Sequence, residues 1–543
     1  MKCACWFVAG LLTIAAVGTA QESVLGKIEF ENSGAPEAQD AFLNGVRMLH
    51  SFEWEDAAEA FQEAQRIDPN FALAYWGEAL SYSYGHHAPT EQDMAEARRA
   101  LQKLARGRAQ RLEKARTERE RMYLEAVEVL YDDGSIEERS LAYAEAMRRI
   151  YEKYPQDHEA ATFYALSLMR TKVRGVESLR EDMQAGAISQ KVFRENPDHP
   201  GAAHYIIHAY DDPAHAPIAL YAAHKYAEIA PAAVHALHMP AHIFVQHGMW
   251  DHVAERNEAS WEASKARADL KGLSPTRYSF HALYWLQYAY LQQGRYDAAR
   301  ACVDELRPIA NREDSTRGLK ERLLRQEALQ VVETERWQVS DVEAILAQIR
   351  GEGQVDERTA ATVLFASGMS AVRTSDLDTA KKARDGIHEV HGKMEDASAD
   401  DKNQVAIMAE ELDALVASAE GQSELARKHM DEATAIAESM EPPSGPPGEA
   451  STDSPVKPPH ELYGELLLDQ GANEEALVAF EHSLLRTPKR TRSLLGAARA
   501  AAKLGNDKLA ARHYEAIAHV PDAGSELPGM EEARRFLQSS EDR

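Results

Sequence analysis

Cysteine is nearly absent from this chain, with 3 in 543 residues. Two of them, Cys3 and Cys5, stand before an apolar run that ends at Val17 and is followed by Gly18, Thr19 and Ala20. A single early lysine, a short apolar run and small residues just before Gln21 read as a secretory signal over 1–20, cleaved before Gln21. The run falls short of the about 20 residues a membrane span needs, and no stop-transfer charges follow it. The mature chain then keeps Cys302 alone, so an internal disulfide is excluded and Cys302 reads as a small helix-packing residue. Positive charge is also scarce: 61 Lys and Arg against 88 Asp and Glu give a net charge of −27, which becomes −28 when Lys2 leaves with the signal. Phosphate-rich partners need a basic face, so this balance argues against nucleic acid and anionic membrane and favours cationic ligands, metal ions included. In the Arg-rich stretch RGRAQRLEKARTERERMY the acids interleave with the bases, as on solvated helix faces. No P-loop, G-x-S-x-G, H-E-x-x-H or C-x-x-C is present, and His388 to His391 reads H-E-V-H, one residue short. No strand pattern of comparable length to the helical ones appears.

Histidine is what the chain has in unusual density. Eleven of the 22 fall between His199 and His281. His204 and His208 form an H-x-x-x-H, His238 and His242 form a second, and the offset between them is 34 residues. Thirty-four is the period of the tetratricopeptide helix-turn-helix unit, which stacks into a solenoid. Residues other than histidine fix the phase. Gly45, Ala57, Phe61, Ala64 and Pro69 take positions 8, 20, 24, 27 and 32 of one unit, with small residues where helices cross, Phe61 between them and Pro69 ending the second helix. Pro231 ends a unit at 200–233, Gly248 and Trp250 mark 234–267, Gly294 and Ala299 mark 280–313, Gly368 and Ala380 mark 361–394, and a weaker unit spans 407–440. The expected class is therefore all-α, a tetratricopeptide-repeat helical solenoid. Its parts are a signal at 1–20, N-terminal units with a charged helix at 21–124, a central solenoid at 125–440 that contains the histidine-rich repeats 200–267, a Pro/Gly-rich linker at 441–459 and a C-terminal repeat pair at 460–543. The linker, EPPSGPPGEASTDSPVKPP, cannot continue a helix and reads as an extended or mobile connection.

In such a unit positions 2, 5, 9, 12 and 13 lie about 120° round the first helix from the stripe that packs on its partner. His204 and His208 occupy 5 and 9 of one unit, His238 and His242 occupy 5 and 9 of the next, and His235, Asp211, Asp212 and His281 fall on the same stripe. Residues i and i+4 share a helix face, so two imidazoles can grip one ion while a neighbouring helix about 8–10 Å away brings a second pair. The spacing predicts one divalent transition-metal site, zinc, copper, iron or nickel, enclosed by His204, His208, His238 and His242, with Asp211, Asp212, His235 and His281 for remaining or supporting positions. The bland reading is that these histidines bond carbonyls and pack between helices. Glu461, Glu465, Arg492 and Arg499 recur on the equivalent stripe near the C-terminus. They are candidate ligand-binding residues, with a Glu465–Arg499 salt bridge as the plain alternative and carboxylates facing the histidines as the other.

The segments HPGAAHYIIHAYDDPAHAP, AVHALHMPAHIF, FALAYWGEAL and PVKPPHELYGELLLDQG resemble a family of exported bacterial tetratricopeptide repeat proteins, over nearly the whole mature chain. The resemblance implies binding of a protein, peptide or small ligand in a concave groove, and no reaction. The expected function is a periplasmic or secreted scaffold with a metal at its histidines. The alternative is a metal-dependent hydrolase or oxidoreductase using the same cluster.

Overall fold

The computed structural model describes residues 24–83, 90–171, 178–337, 342, 355–449 and 454–541, so the expected signal lies outside the described residues. Among the described residues every regular element is a helix. The units appear as consecutive antiparallel helix pairs: Gln39–His50 with Trp54–Ile67, Phe280–Gln292 with Tyr296–Ala310, Glu357–Arg373 with Leu377–His391, and Ala399–Ala419 with Ser423–Glu438. Helix-end chemistry follows the expected phase, since Gly248 and Gly294 each supply a positive φ, +65° and +67°, where one helix hands over to the next.

The small and aromatic positions do the work assigned to them. A Cβ on Gly77 would lie 2.3 Å from Phe61, and one on Gly496 would lie 2.2 Å from Phe480. Each phenylalanine thus fills a space that exists only because its neighbour on the next helix has no side chain. The same pairing, with the phenylalanine 16 residues before the glycine, recurs at both ends of the chain. The fold is of the tetratricopeptide type.

The chain divides into two compact units. The first comprises Met1–Thr171, Ala187–Tyr205 and Glu228–Ala233, and the second Lys172–Gly186, Ile206–Ala227 and Val234–Arg543. In the first, Phe30 stacks on Phe42 and meets Trp76 and Tyr123 edge-on, which fixes the extended N-terminal segment over the first helices. The Arg-rich stretch is not uniformly solvated as expected. Arg111 forks onto Glu128, and Arg119 pairs with Asp157 while covering the Phe30 and Tyr123 rings, because those carboxylates and rings offer partners beneath the helix surface.

In the second unit the Pro/Gly-rich segment takes the extended form, without helix at 441–449 and 454–458, and much of it is buried. Tyr284 Oη donates to the Pro447 carbonyl at 2.9 Å, Gln246 Nε2 donates to the Pro443 carbonyl at 3.3 Å, and the Gly448 amide donates to the Ser454 carbonyl at 3.0 Å. The carbonyls of a proline-rich extended segment have no regular backbone partner, so side chains from flanking helices satisfy them.

Beyond this strap lies a buried ionic network. Lys457 Nζ reaches Glu461 at 2.8 Å and Glu465 at 2.6 Å, while Arg490 forks onto Glu461 and pairs with Glu333 at 2.6 Å. Glu411 is enclosed beside it, and neither carboxyl oxygen has a hydrogen-bond partner among the described residues. Burial pushes the Glu411 carboxyl well above the usual range, with the Lys457 charge opposing the shift. A raised folded value means its contribution is fully present below about 4.5 and is lost as pH rises through the folded value. Glu411→Leu should therefore stabilise the chain at pH 7 by about 1–3 kcal/mol, the penalty of a buried unsatisfied polar group, and the gain should shrink at pH 4. Urea midpoints at the two pH values check this, and a variant less stable than wild type at pH 7 would contradict it.

Candidate metal centre

The histidines expected around a single ion are divided between different settings. His204 belongs to the first unit, fully buried, with its Nδ1 2.6 Å from the His50 carbonyl and its ring edge-on to Phe52. In the second unit His208 stands beside His235 and His242, each with ring centroids 6.4 Å away. His238 and His242 come together with His281 instead, and one ring nitrogen from each of the three lies within 4.8 Å of the others.

The reason lies in the backbone. Pro240 cannot donate an amide, so the first helix of this repeat is broken into Val234–His238 and Pro240–His247 by a turn at Met239. His238 ends one piece and His242 sits in the first turns of the next, and their Nε2 atoms approach to 3.1 Å. His281 enters from the start of helix Phe280–Gln292. The three rings surround Trp285, whose centroid is 4.3 Å from His242, 5.1 Å from His238 and 5.7 Å from His281.

Each ring is held by an oxygen at its other nitrogen. His238 Nδ1 lies 2.6 Å from Asn257 Oδ1, and Asn257 is fixed in that orientation because its Nδ2 donates to the Val253 carbonyl at 2.7 Å. His242 Nδ1 lies 2.6 Å from Asp211 Oδ2. His281 Nδ1 lies 3.4 Å from Glu449 Oε1, which Arg322 holds in turn at 2.8 Å. An oxygen acceptor at Nδ1 sets the tautomer: the proton is on Nδ1 and Nε2 presents its lone pair. At His238 and His242 the two lone pairs then face each other at 3.1 Å, close to the edge of about 3.3 Å that two nitrogens make around one zinc ion. Burial holds His238 well below its ordinary range, with His281 and His242 adding to the shift, so a proton is a poor mediator between the rings. The carbonyl and carboxylates behind the rings are the support a metal-ligating imidazole ordinarily has. The site is graded in access: His238 is buried, whereas the His242 and His281 side chains are 14% and 32% exposed.

Asp211 thus supports a ring, and burial pushes its carboxyl up against the opposing pull of His242. Asp212 turns away, capping the Ala214 and His215 amides and pairing with His215 at 2.7 Å. Asn257 and Glu449 were not foreseen. Asn257 was detectable as a polar residue on the Val253, Trp261 stripe of helix Trp250–Lys271, while nothing in a proline-rich segment marked Glu449.

A second histidine group, in the first unit, has the opposite character. Glu159 accepts from His50 Nε2 at 2.6 Å and His199 Nε2 at 3.1 Å, His50 Nδ1 meets Tyr205 Oη at 3.0 Å, and His199 Nδ1 accepts the Ala202 amide at 3.2 Å. Burial lowers His50, and the two ring N–H groups outweigh burial at Glu159 and keep its carboxyl below the usual range. Every ring nitrogen in that group already has a partner, so it is an interior hydrogen-bond network.

The Glu465–Arg499 bridge is not formed. Glu465 is taken by Lys457 and Arg373, and Arg499 by Glu532 at 2.8 Å. Arg492 pairs with Glu335 at 2.7 Å and donates to the Glu333 carbonyl. Glu461 is enclosed by Lys457 and Arg490, so neither carboxylate serves the histidines. Glu465, Arg492 and Arg499 do line one pocket of about 410 Å³, with Arg373 and Trp337. Cys302 is buried, and burial pushes its thiol far up, as suits a packing residue.

No family model matches the chain, and no curated protein matches it. Among solved structures it is similar to a human IFIT1 dimer with PPP-AAAA, at 13% identity over 88% of this chain and 89% of that one, TM-score 0.35. Ypp1 shows 10% identity over 93% and 85%, TM-score 0.43, and the P58(IPK) TPR domain 14% over 93% and 100%, TM-score 0.21. These likenesses are too remote to bear on the site.

Proposed function

We propose that this chain is a tetratricopeptide-type scaffold that binds one divalent transition-metal ion through His238, His242 and His281, with Asn257, Asp211 and Glu449 orienting the rings. The observation that carries this is the 3.1 Å approach of two Nε2 atoms whose Nδ1 partners are both oxygen acceptors. Two lone pairs at that separation repel, and a cation between them converts the repulsion into two bonds. Imidazole suits zinc, copper, iron or nickel, and zinc is the simplest ion for three neutral nitrogens. The scaffold reading carries with it a protein, peptide or small-molecule partner and, from the signal-like N-terminus, a periplasmic or secreted location.

Three protein nitrogens leave at least one position on the ion for water or a ligand, which is the composition of catalytic zinc sites more than of closed structural ones. The partial exposure of His281 favours a second reading on that account, a metal-dependent hydrolase or oxidoreductase. Elemental analysis of the purified chain beside a His238→Ala/His242→Ala/His281→Ala variant tests the metal itself. About one ion per chain in the first and none in the second is the expected result, and equal substoichiometric metal in both would reduce the cluster to packing.

A further inference from the structure

A cavity of about 740 Å³ in the second unit has His281 in its wall. That volume lies within the range of small-molecule sites. Helices Phe280–Gln292, Arg317–Thr334 and Glu357–Arg373 all begin there: Ser279, Thr316 and Asp356, their N-cap residues, line it. Helix starts present unpaired amides and a partial positive charge. Four arginines, Arg277, Arg322, Arg325 and Arg358, line the same space, in a chain whose net charge is −27.

The acids in the wall are largely committed elsewhere. Glu321 accepts from Arg317 at 2.6 Å and from the Asp356 amide at 2.8 Å, and Asp356 caps Thr359 at 2.7 Å. Asp401 is bonded to Ser398 at 2.7 Å and shared with Arg358 at 3.3 Å, and Glu357 is exposed. Arg325 is the telling residue. It is 5% exposed, its one ion pair among the described residues, to Asp356, is long at 3.3 Å, the same nitrogen donates to Thr359 Oγ1, and its Nε has no hydrogen-bond partner among the described residues. A buried guanidinium so incompletely matched is costly unless an oxyanion completes it.

We propose that this cavity binds a small organic oxyanion, carboxylate or phosphate, gripped by Arg322, Arg325 and Arg277 and reaching the metal beside His281. The planar fork of arginine matches the paired oxygens of such groups. The proposal rests on the metal reading for the far end of the ligand only; the arginine grip stands on the cavity itself. Arg322 links the two ends, since it holds the Glu449 carboxylate that steadies His281.

The test is calorimetric titration of the zinc-loaded chain with glutarate, inorganic phosphate and the neutral 1,5-pentanediol. One or both anions should bind saturably and more weakly at high salt, and the diol should not. Preference between glutarate and phosphate assigns the carboxylate or the phosphate form. Arg325→Lys, which keeps the charge and removes the fork, should weaken the anion at least tenfold, and the exposed Arg277→Ser several-fold, with zinc content unchanged. Anion binding equal in wild type and both variants, or no saturable anion binding, overturns the arginine grip. Affinity unchanged between zinc-loaded and zinc-free wild type overturns the contact with the metal. Failure of the chain to take up zinc is a failure of the metal reading, and the arginine grip is then still decided on the metal-free chain by the same variants.

Discussion

Replacing His238 by alanine should lower affinity for zinc at least about 100-fold, more than the 10–100-fold loss that follows removal of a supporting partner such as Asp211 or Asn257. His238 is the buried member of the trio, 2% exposed, with its Nε2 3.1 Å from that of His242, so its loss removes the ligand that water cannot replace from outside. His204→Ala should leave zinc affinity within a few-fold, because His204 is committed to the His50 carbonyl in the first unit. Competition against a chromophoric chelator at pH 7.5 reads all of these. A His204→Ala loss equal to that of His238→Ala would restore the four-histidine arrangement and sink the three-histidine one.

The pH dependence follows from the same ring. His238 has its folded value depressed, so it stays neutral in the folded chain while the unfolded chain takes up a proton near 6.5. Its contribution to stability is present above that pH and is lost as pH falls below it. The metal-free chain should therefore lose stability on acidification below about 6.5, and His238→Ala should flatten that slope.

How far the sequence carried the reading depends on what set each feature. The 34-residue offset and the Gly45, Ala57, Phe61 pattern determined helix pairing, because a period and a close packing contact are both local in sequence. His238, His242, Asp211 and His281 were legible as candidates for the same reason. The grouping of His238 and His242 with His281 was not. An unbroken helix would have put His238 and His242 where His204 and His208 stand in the preceding repeat, and the break at Pro240 turned the second pair toward helix Phe280–Gln292. Proline was visible, but the direction in which a broken helix aims its ends is set by packing. Glu449 was illegible on different grounds: a proline-rich segment gives no periodicity from which to tell a buried carboxylate from a solvated one.

Arg490 shows the same limit, and carries the largest effect expected on stability. Positional reasoning picked out Arg492 and Arg499 on the next helix, yet Arg490 sits just before that helix, after Lys489 has turned the chain at a φ of +59°. That turn directs the guanidinium inward, where it is 1% exposed, forks onto Glu461 and pairs with Glu333. Burial lowers its proton affinity, but Glu333 and Glu461 outweigh burial and hold it well above the ordinary range, so it stays charged. Arg490→Met leaves Glu461 enclosed with only Lys457 to balance it and strips Glu333 of its direct ion pair, with Arg492 still nearby, and should cost about 3–5 kcal/mol, the usual penalty for removing one partner of a buried pair. Arg499→Ala, by contrast, removes a pair to Glu532 that is 47% and 33% exposed, and should cost under about 1 kcal/mol. Adding Glu461→Leu to Arg490→Met should recover part of the loss, since it deletes a carboxylate that the first change stranded. Urea unfolding followed by tryptophan fluorescence separates the cases. If Arg490→Met proves no worse than Arg499→Ala, the network is hydrated in solution and its burial does not govern the stability of the second unit.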